Sequence, residues 1–343
     1  MRVFVTGASG ALGSRLVPQL MEAGHEVVGT HNSPASAQLL EVLGAEPVRL
    51  DLLDAAAVRT AVLDHQPDAI VHQATALTGV KFGRNLDKTF ATTNRLRTEG
   101  TDALLAPARA AGVRRFVAQS VALNRYARQG GPVKTETDPL EETPPTNTGK
   151  SLAAITHLEK ATLAFGGIAL RYGGFYGAAN DAMIEPVRKH RFPIVGDGGG
   201  ITSWMHLDDG AAATVAALEH AGPAIYNIVD DEPAPVRDWL PVLADALGAK
   251  PPRHAPTRLD SPIPQLARGF PGHLLGDRGR RRACARPRHR TDPVRRLSTC
   301  PGRSTNDHRR PSATLPAPRR AGSRSARAVD QGERADSRSC GDR

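Results

Sequence analysis

The chain has 343 residues and a formal net charge of +10, but the 45 Lys+Arg and 35 Asp+Glu are unevenly spread. Residues 251–343 carry 22 arginines, no lysine and 8 acids, whereas residues 1–250 carry 23 basic and 27 acidic side chains; the body of the chain therefore offers no footprint for nucleic acid or a membrane surface. Cys284, Cys300 and Cys340 are far apart and lack CxxC spacing, which supports neither a disulfide framework nor a zinc site. No apolar run approaches the roughly 20 residues that span a bilayer and no leader pattern opens the chain, so a cytoplasmic protein is expected.

From residue 1 to about 170, short apolar strands alternate with longer helical periods. "RVFVT" precedes a helix beginning near Ala11, "HEVVGT" one near "PASAQLLEVLG", and "EPVRLDL" the stretch "DAAAVRTAVLDH". "DAIVHQA" leads into "NRLRTEGTDALLAPARAAG", "VRRFVAQS" into a loop, and "SLAAITHLEKATLAFG" precedes "GIALRYG". Strands alternating with helices of this length indicate βαβ units, and right-handed crossovers turn these into a doubly wound parallel sheet. Residues 171–255 read as loops, short strands and two more helices, "LDDGAAATVAALEHA" and "VRDWLPVLADALG". The expected organisation is a dinucleotide-binding Rossmann domain over 1–170, a small and incomplete substrate-binding region over 171–255, and an Arg/Pro-rich, disordered tail over 256–343, where periodicity ends.

The turn "TGASGALG" places Gly7, Gly10 and Gly13 between the first strand and the first helix. The first glycine permits a tight turn, the second close approach of backbone to a pyrophosphate, and the third close helix–strand packing; the helix N-terminus adds free N–H groups. The spacing is GxxGxxG, not GxGxxG, and a Gly-rich turn without a ligand is the bland alternative.

With "DLLD" of 51–54, "IVHQATA" of 70–76, "TTNRLRTEGT", "RRFVAQS", "LRYGGFYG" and "SWMHLDD" in the same order, residues 1–255 resemble the extended short-chain dehydrogenase/reductase superfamily, NAD(P)-dependent epimerase/dehydratase type. The resemblance implies a cofactor site made by Gly7, Ser9, Gly10, Ala11, Leu12 and Gly13 at the phosphates, Asp51 and Leu52 beside the adenine, His72, Gln73 and Ala74 under the ribose, Asn94, and Tyr176 toward the nicotinamide. The alternatives are a helix-terminal charge for Asp51 and packed core side chains for His72 and Tyr176. His206 and Asp208 are read as fixing a loop or capping the helix near Asp209. After the second strand stand Thr30, His31, Asn32 and Ser33, neither an acid that favours NAD nor a base that grips a 2′-phosphate. With His31, Asn32 and Ser33 as donors, the expectation leans to NADP.

The catalytic pattern departs from the family's. The resemblance implies a Ser or Thr plus a Tyr with a Lys four residues later, one helical turn away, where its charge lowers the phenol's pKa. Ser120 matches the first position; at the pair, Asn147 and Ser151 stand where Tyr and Lys belong, and Lys150 would pair with Thr146. Tyr126 is the substitute proton donor, with Lys134 reaching it if the Gly130-Gly131 loop folds back; otherwise Tyr126 is a surface or pocket aromatic.

The functional expectation is an NAD(P)-dependent oxidoreductase or epimerase-like enzyme acting on the carbonyl or CH–OH group of a small or sugar-like substrate. The rival is a dinucleotide-binding sensor or scaffold with lost chemistry; a nucleic-acid-binding role through the tail ranks last. No metal site and no membrane partner are expected, and "NRLRTEGTDALLAPARAAG" with "SLAAITHLEKATLAFG" could form a homodimer contact. The tail is read as a frameshifted translation, against a genuine basic arm.

Overall fold

The computed structural model describes residues 1–256 except 79, 81–84, 124, 128, 132, 143–146 and 178–180; the tail expected over 256–343, all but its first residue, and Thr146 lie outside the described residues. In chain order the elements are β1 (Arg2–Thr6), α1 (Gly13–Glu22), β2 (Glu26–His31), α2 (Pro34–Val42), β3 (Glu46–Arg49), α3 (Ala55–His65) and β4 (Ala69–His72). Then follow α4 (Leu86–Thr89), α5 (Ala91–Arg95), a π-helical turn at Leu96–Gly100, α6 (Thr101–Ala110), β5 (Arg115–Val121), α7 (Gly149–Phe165) and β6 (Ile168–Tyr172). The last elements are β7 (Gly174–Tyr176), α8 (Asp181–Arg188), β8 (Ile194–Val195), β9 (Ile201–Thr202), β10 (Trp204–His206), α9 (Leu207–Glu219), β11 (Ala224–Ile228), β12 (Ala234–Pro235), α10 (Val236–Ala246) and β13 (His254–Ala255).

Seven strands form one parallel sheet in the order β11-β6-β5-β4-β1-β2-β3. Both faces are covered, so successive residues of one strand enter different cores. Val3 and Val5 of β1 pack with Leu16, Val17 and Leu20 of α1 and Leu218 of α9, whereas Phe4 packs with Val58 and Val62 of α3 and Leu104 of α6. Alternating side-chain direction along a strand produces this split. It also explains why the strands read as nearly continuous apolar runs.

Local chemistry sets the helix ends. Asp54 caps α3 by accepting from the N–H groups of Ala56 and Ala57, a contact worth about 1 kcal/mol, and Ser33 accepts from Ser36 N–H to cap α2. The helix expected near Ala11 begins at Gly13, because Ala11 and Leu12 belong to the turn. The single helix expected over 94–112 is interrupted by the π-helical turn. There the Leu96 carbonyl accepts from His72 Nε2 at 3.3 Å.

The boundary expected at residue 170 does not coincide with the edge of the sheet. Strand β11 pairs with β6 from Ala224↔Ile168 to Ile228↔Tyr172, and α9 packs on α1, so part of 171–255 completes the Rossmann layer. Burial of Ala211, Ala217 and Leu218 against the first core requires it. The rest forms a smaller module with its own core of Val187, Phe192, Ile194, Val236, Leu240 and Ala244. Among the described residues no helix is long and apolar enough to cross a membrane, and no cluster of His, Cys, Asp or Glu suits a metal ion.

Candidate functional site

The strand order reverses between β1 and β4, and the crevice beyond their C-terminal ends is where doubly wound sheets hold ligands. The glycine turn stands at this point. Gly7 has φ +72°, and a Cβ there would lie 2.8 Å from backbone atoms of Gln73 and Ala74. A Cβ on Gly13 would lie 2.3 Å from the Gly7 carbonyl oxygen and 2.5 Å from that of Ala8, so only glycine lets α1 start against the turn. Gly10 N–H donates to the Gly7 carbonyl at 3.0 Å and tightens the loop. The N-cap position of α1 is Leu12, whose side chain cannot accept a hydrogen bond, so the first N–H groups of the helix keep no side-chain cap. Ser14 N–H donates to the Gly10 carbonyl at 2.9 Å and Arg15 N–H to that of Leu12 at 3.0 Å, so the turn winds directly into α1; this helix start behind a cradle that any Cβ would fill suits the diphosphate of a dinucleotide.

Around this turn the fold assembles most of the sequence-predicted cofactor residues: Ser9 and Ala11 in the loop, His31 and Asn32 ending β2, Asp51 and Leu52 after β3, and His72, Gln73 and Ala74 at the end of β4. Asp51 is exposed; its Oδ1 accepts from Leu53 N–H at 2.9 Å. Leu52 is buried and its backbone flanks Gly100. His31 Nδ1 donates to the Ser33 carbonyl at 3.0 Å, and the Ser33 hydroxyl both caps α2 and donates to Ser36 Oγ at 2.9 Å, leaving Asn32 the more open donor.

His72 is 2 % exposed, with both ring nitrogens engaged inside the protein. Because the Leu96 carbonyl can only accept, Nε2 carries the proton and Nδ1 accepts from the Thr6 hydroxyl at 2.8 Å. Burial pushes its pKa down to about 4, helped by the charge of Arg97 and opposed by the Leu96 hydrogen bond. Gln73 Nε2 donates to the Tyr172 hydroxyl, which donates to Thr214, whose hydroxyl reaches the Gly210 carbonyl. Both side chains thus lock β4 to neighbouring elements beneath the crevice.

Asn94 and Tyr176 are held by partners outside the glycine turn. Asn94 Nδ2 donates to Ser151 Oγ at 3.1 Å, and Asn94 lines a groove of about 830 Å³ with Asp87, Arg95, Lys150 and His157, apart from the glycine turn. Asp87 fixes the start of α7 by accepting from the N–H groups of Lys150 and Ser151. Tyr176 is 43 % exposed and meets His206 edge-on at 5.1 Å, and His206 caps α9 by accepting from Asp208 N–H.

Ser120 and Tyr126 belong to one buried polar network. Ser120 Oγ donates to Glu159 Oε1 at 2.6 Å, and the same carboxylate takes Arg171 Nε at 2.7 Å, Arg171 Nη2 at 2.8 Å and Arg125 Nη2 at 3.0 Å. Burial raises the Glu159 pKa, but Arg171, Ser120 and Arg125 outweigh it and hold the carboxyl below its ordinary value. Tyr126 donates to Asn227 Oδ1 at 2.6 Å and accepts from Arg171 Nη1 at 3.0 Å; burial pushes its phenol up despite Arg171. Lys134 is not brought to this phenol: its ammonium donates to the Gln129 carbonyl on its own loop. Sequence reasoning missed Glu159 and Arg171. The signal was available, since an arginine inside the apolar strand "IALRY" is tolerated only beside a buried acid.

A parallel doubly wound sheet with a glycine cradle at its switch point defines a dinucleotide-dependent Rossmann enzyme. Residues 3–229 match the description NAD dependent epimerase/dehydratase family, and the chain belongs to that family. It is 39% identical over 283 residues to a 3-diazoavenalumate denitrifying reductase of a Streptomyces species, covering 80% of this chain and 90% of the relative. It is 28% identical to a 2-alkyl-3-oxoalkanoate reductase of Stenotrophomonas maltophilia, covering 73% and 76%. The fold matches the crystal structure of UDP-glucose 4-epimerase with UDP-glucose from Thermotoga maritima with a TM-score of 0.63 at 22% identity, covering 77% of this chain and 88% of that one.

Proposed function

We propose that the chain is an NADP-dependent reductase delivering hydride to an electrophilic, carboxylate-bearing small molecule, with no protein tyrosine as proton donor. The carrying observation is α7, which holds no tyrosine: Ser151 is bonded to Asp87 and Asn94 there, and Tyr126 is committed to Asn227 and Arg171. Among the described residues α7 offers no phenol–ammonium pair to abstract a sugar hydroxyl proton or to protonate an alkoxide.

When bound, the reduced cofactor supplies a hydride. An aryl diazonium acceptor that takes it and expels dinitrogen yields Ar–H and N₂ with no proton to place, and the diazo-named relative fits such an acceptor. The protein's part is positioning: Gly7 to Gly13 and the start of α1 hold the diphosphate, and Asp51 accepts from the adenine amine. Ser120 and Tyr126 act through Glu159 and Arg171 to fix β5, β6 and α7.

The NADP preference is supported by a residue the sequence reading passed over. Arg49 ends β3 as the register mate of His31, is exposed, and has no acidic partner among the described residues. A free cation beside the end of β2 suits a 2′-phosphate.

The test is turnover of the full chain with NADPH or NADH against an aryl diazonium carboxylic acid, a β-keto acid and UDP-glucose, following reduced-cofactor absorbance and gas release over a heat-killed control. Nitrogen release with NADPH, and none of the UDP-glucose converted, is expected. Epimerisation, or cofactor binding with no turnover on any acceptor, overturns the reading; the second result favours the binding-protein alternative.

A further inference from the structure

Arg97 sits in the π-helical turn and is 7 % exposed, yet no hydrogen bond or ion pair engages its guanidinium among the described residues. Every other buried arginine with a described ion pair, Arg125 and Arg171, shares Glu159. Burial alone acts on Arg97, lowering its pKa to about 10, and among the described residues no acid opposes it. A buried cation without a counter-charge is costly and is retained where a ligand supplies the missing charge.

Its neighbours locate it at the crevice. Four residues earlier on the same helical face, Thr93 Oγ1 accepts from Ala76 N–H in the segment after β4. The adjoining Leu96 carbonyl meets His72, and Gly100 lies against Leu52. Arg97 is therefore bracketed by the backbone after β3 and after β4, and its charge is felt at the His72 ring. π-Helical turns also recur at functional sites.

We propose that Arg97 binds an oxyanion in this crevice: a phosphate of the dinucleotide or the carboxylate of the substrate. The inference rests on the reading of the crevice as a cofactor and substrate site. The full chain, Arg97→Gln and Arg97→Lys would be titrated calorimetrically with NADPH, inorganic pyrophosphate and cinnamate, and their thermal unfolding followed without ligand. A phosphate source predicts that Arg97→Gln weakens NADPH and pyrophosphate at least tenfold while cinnamate is unchanged. A carboxylate source predicts the reverse, and Arg97→Lys retains part of the affinity in either case.

Without ligand, Arg97→Gln should unfold at the same temperature as the parent or higher, since an unpaired charge has been removed. A clear fall, or failure to fold, means that Arg97 holds the fold and overturns the proposal. So does binding of all three probes within twofold of the parent, or a parent that binds neither pyrophosphate nor cinnamate. A parent that binds pyrophosphate or cinnamate but no NADPH sinks the cofactor reading and leaves the Arg97 comparison to decide on its own.

Discussion

Glu159 of α7 and Arg171 of β6 face each other as a two-pronged pair, Nε to Oε1 at 2.7 Å and Nη2 to Oε2 at 2.8 Å, both side chains at most 5 % exposed. Ser120 and Arg125 complete the carboxylate's shell. Glu159→Gln leaves two buried arginines short of their counter-charge, and a loss of about 3 kcal/mol or more is expected in chemical denaturation. Its carboxyl is held below the ordinary value in the folded chain, so its stabilisation is present above the unfolded carboxylate range and is lost as pH falls through the depressed folded value. Unchanged stability in Glu159→Gln at neutral pH would show the network to be dispensable.

His72 governs a different stretch of the acid limb. Its folded pKa is about 4 against an ordinary 6.5, so the unfolded chain binds the extra proton between these values. Stability should be complete above pH 6.5 and fall by about 3 kcal/mol as pH drops toward 4. His72→Gln should flatten that interval while sparing the steeper loss below it. Parallel curves for parent and variant between these limits would refute the assignment.

Tyr126→Phe removes the hydroxyl between Asn227 and Arg171. The expected loss is about 1–2 kcal/mol in stability, from the orphaned Asn227 oxygen and Arg171 donor, with less than a fivefold fall in single-turnover hydride transfer. A fall of a thousandfold in that rate, with the fold intact, would restore the phenol as proton donor.

Gly13→Ala tests the cradle. Its Cβ would meet two carbonyl oxygens at 2.3 and 2.5 Å, both backbone, so α1 must shift away from the turn. Dinucleotide affinity should fall at least a hundredfold by calorimetry, with about 2 kcal/mol lost from stability. Equal affinity in Gly13→Ala would remove the glycine turn from the binding site.

The NADP preference can be read separately. Arg49→Glu places a carboxylate beside His31 and should lower the NADPH-to-NADH affinity ratio at least tenfold with little change for NADH. An unaltered ratio would detach β3 from cofactor choice.

Much of the fold was legible before any coordinates. Short continuous apolar runs located the sheet strands through β6, because both faces of the sheet are buried, and period-3.6 patterning located helices α1, α2, α3, α6, α7, α9 and α10, because each buries one face. What patterning alone did not reveal was that β11 joins the main sheet, since "AIYNI" is half-buried at an edge and its partner Ile168–Tyr172 lies over fifty residues away.

The candidate site divided along the same line. By itself the sequence determined the glycine turn, because its chemistry is local: the three glycines, the strand before them and the helix after them sit within one short segment. Only the tertiary structure decided the fates of His72, Ser120, Tyr126 and Arg97. Their partners come from distant segments: Thr6 for His72, Glu159 for Ser120 and Asn227 for Tyr126, while Arg97 has no acid partner among the described residues. Burial and pairing fix whether a polar side chain holds the fold or waits for a ligand, and both emerge only when remote strands come to lie side by side.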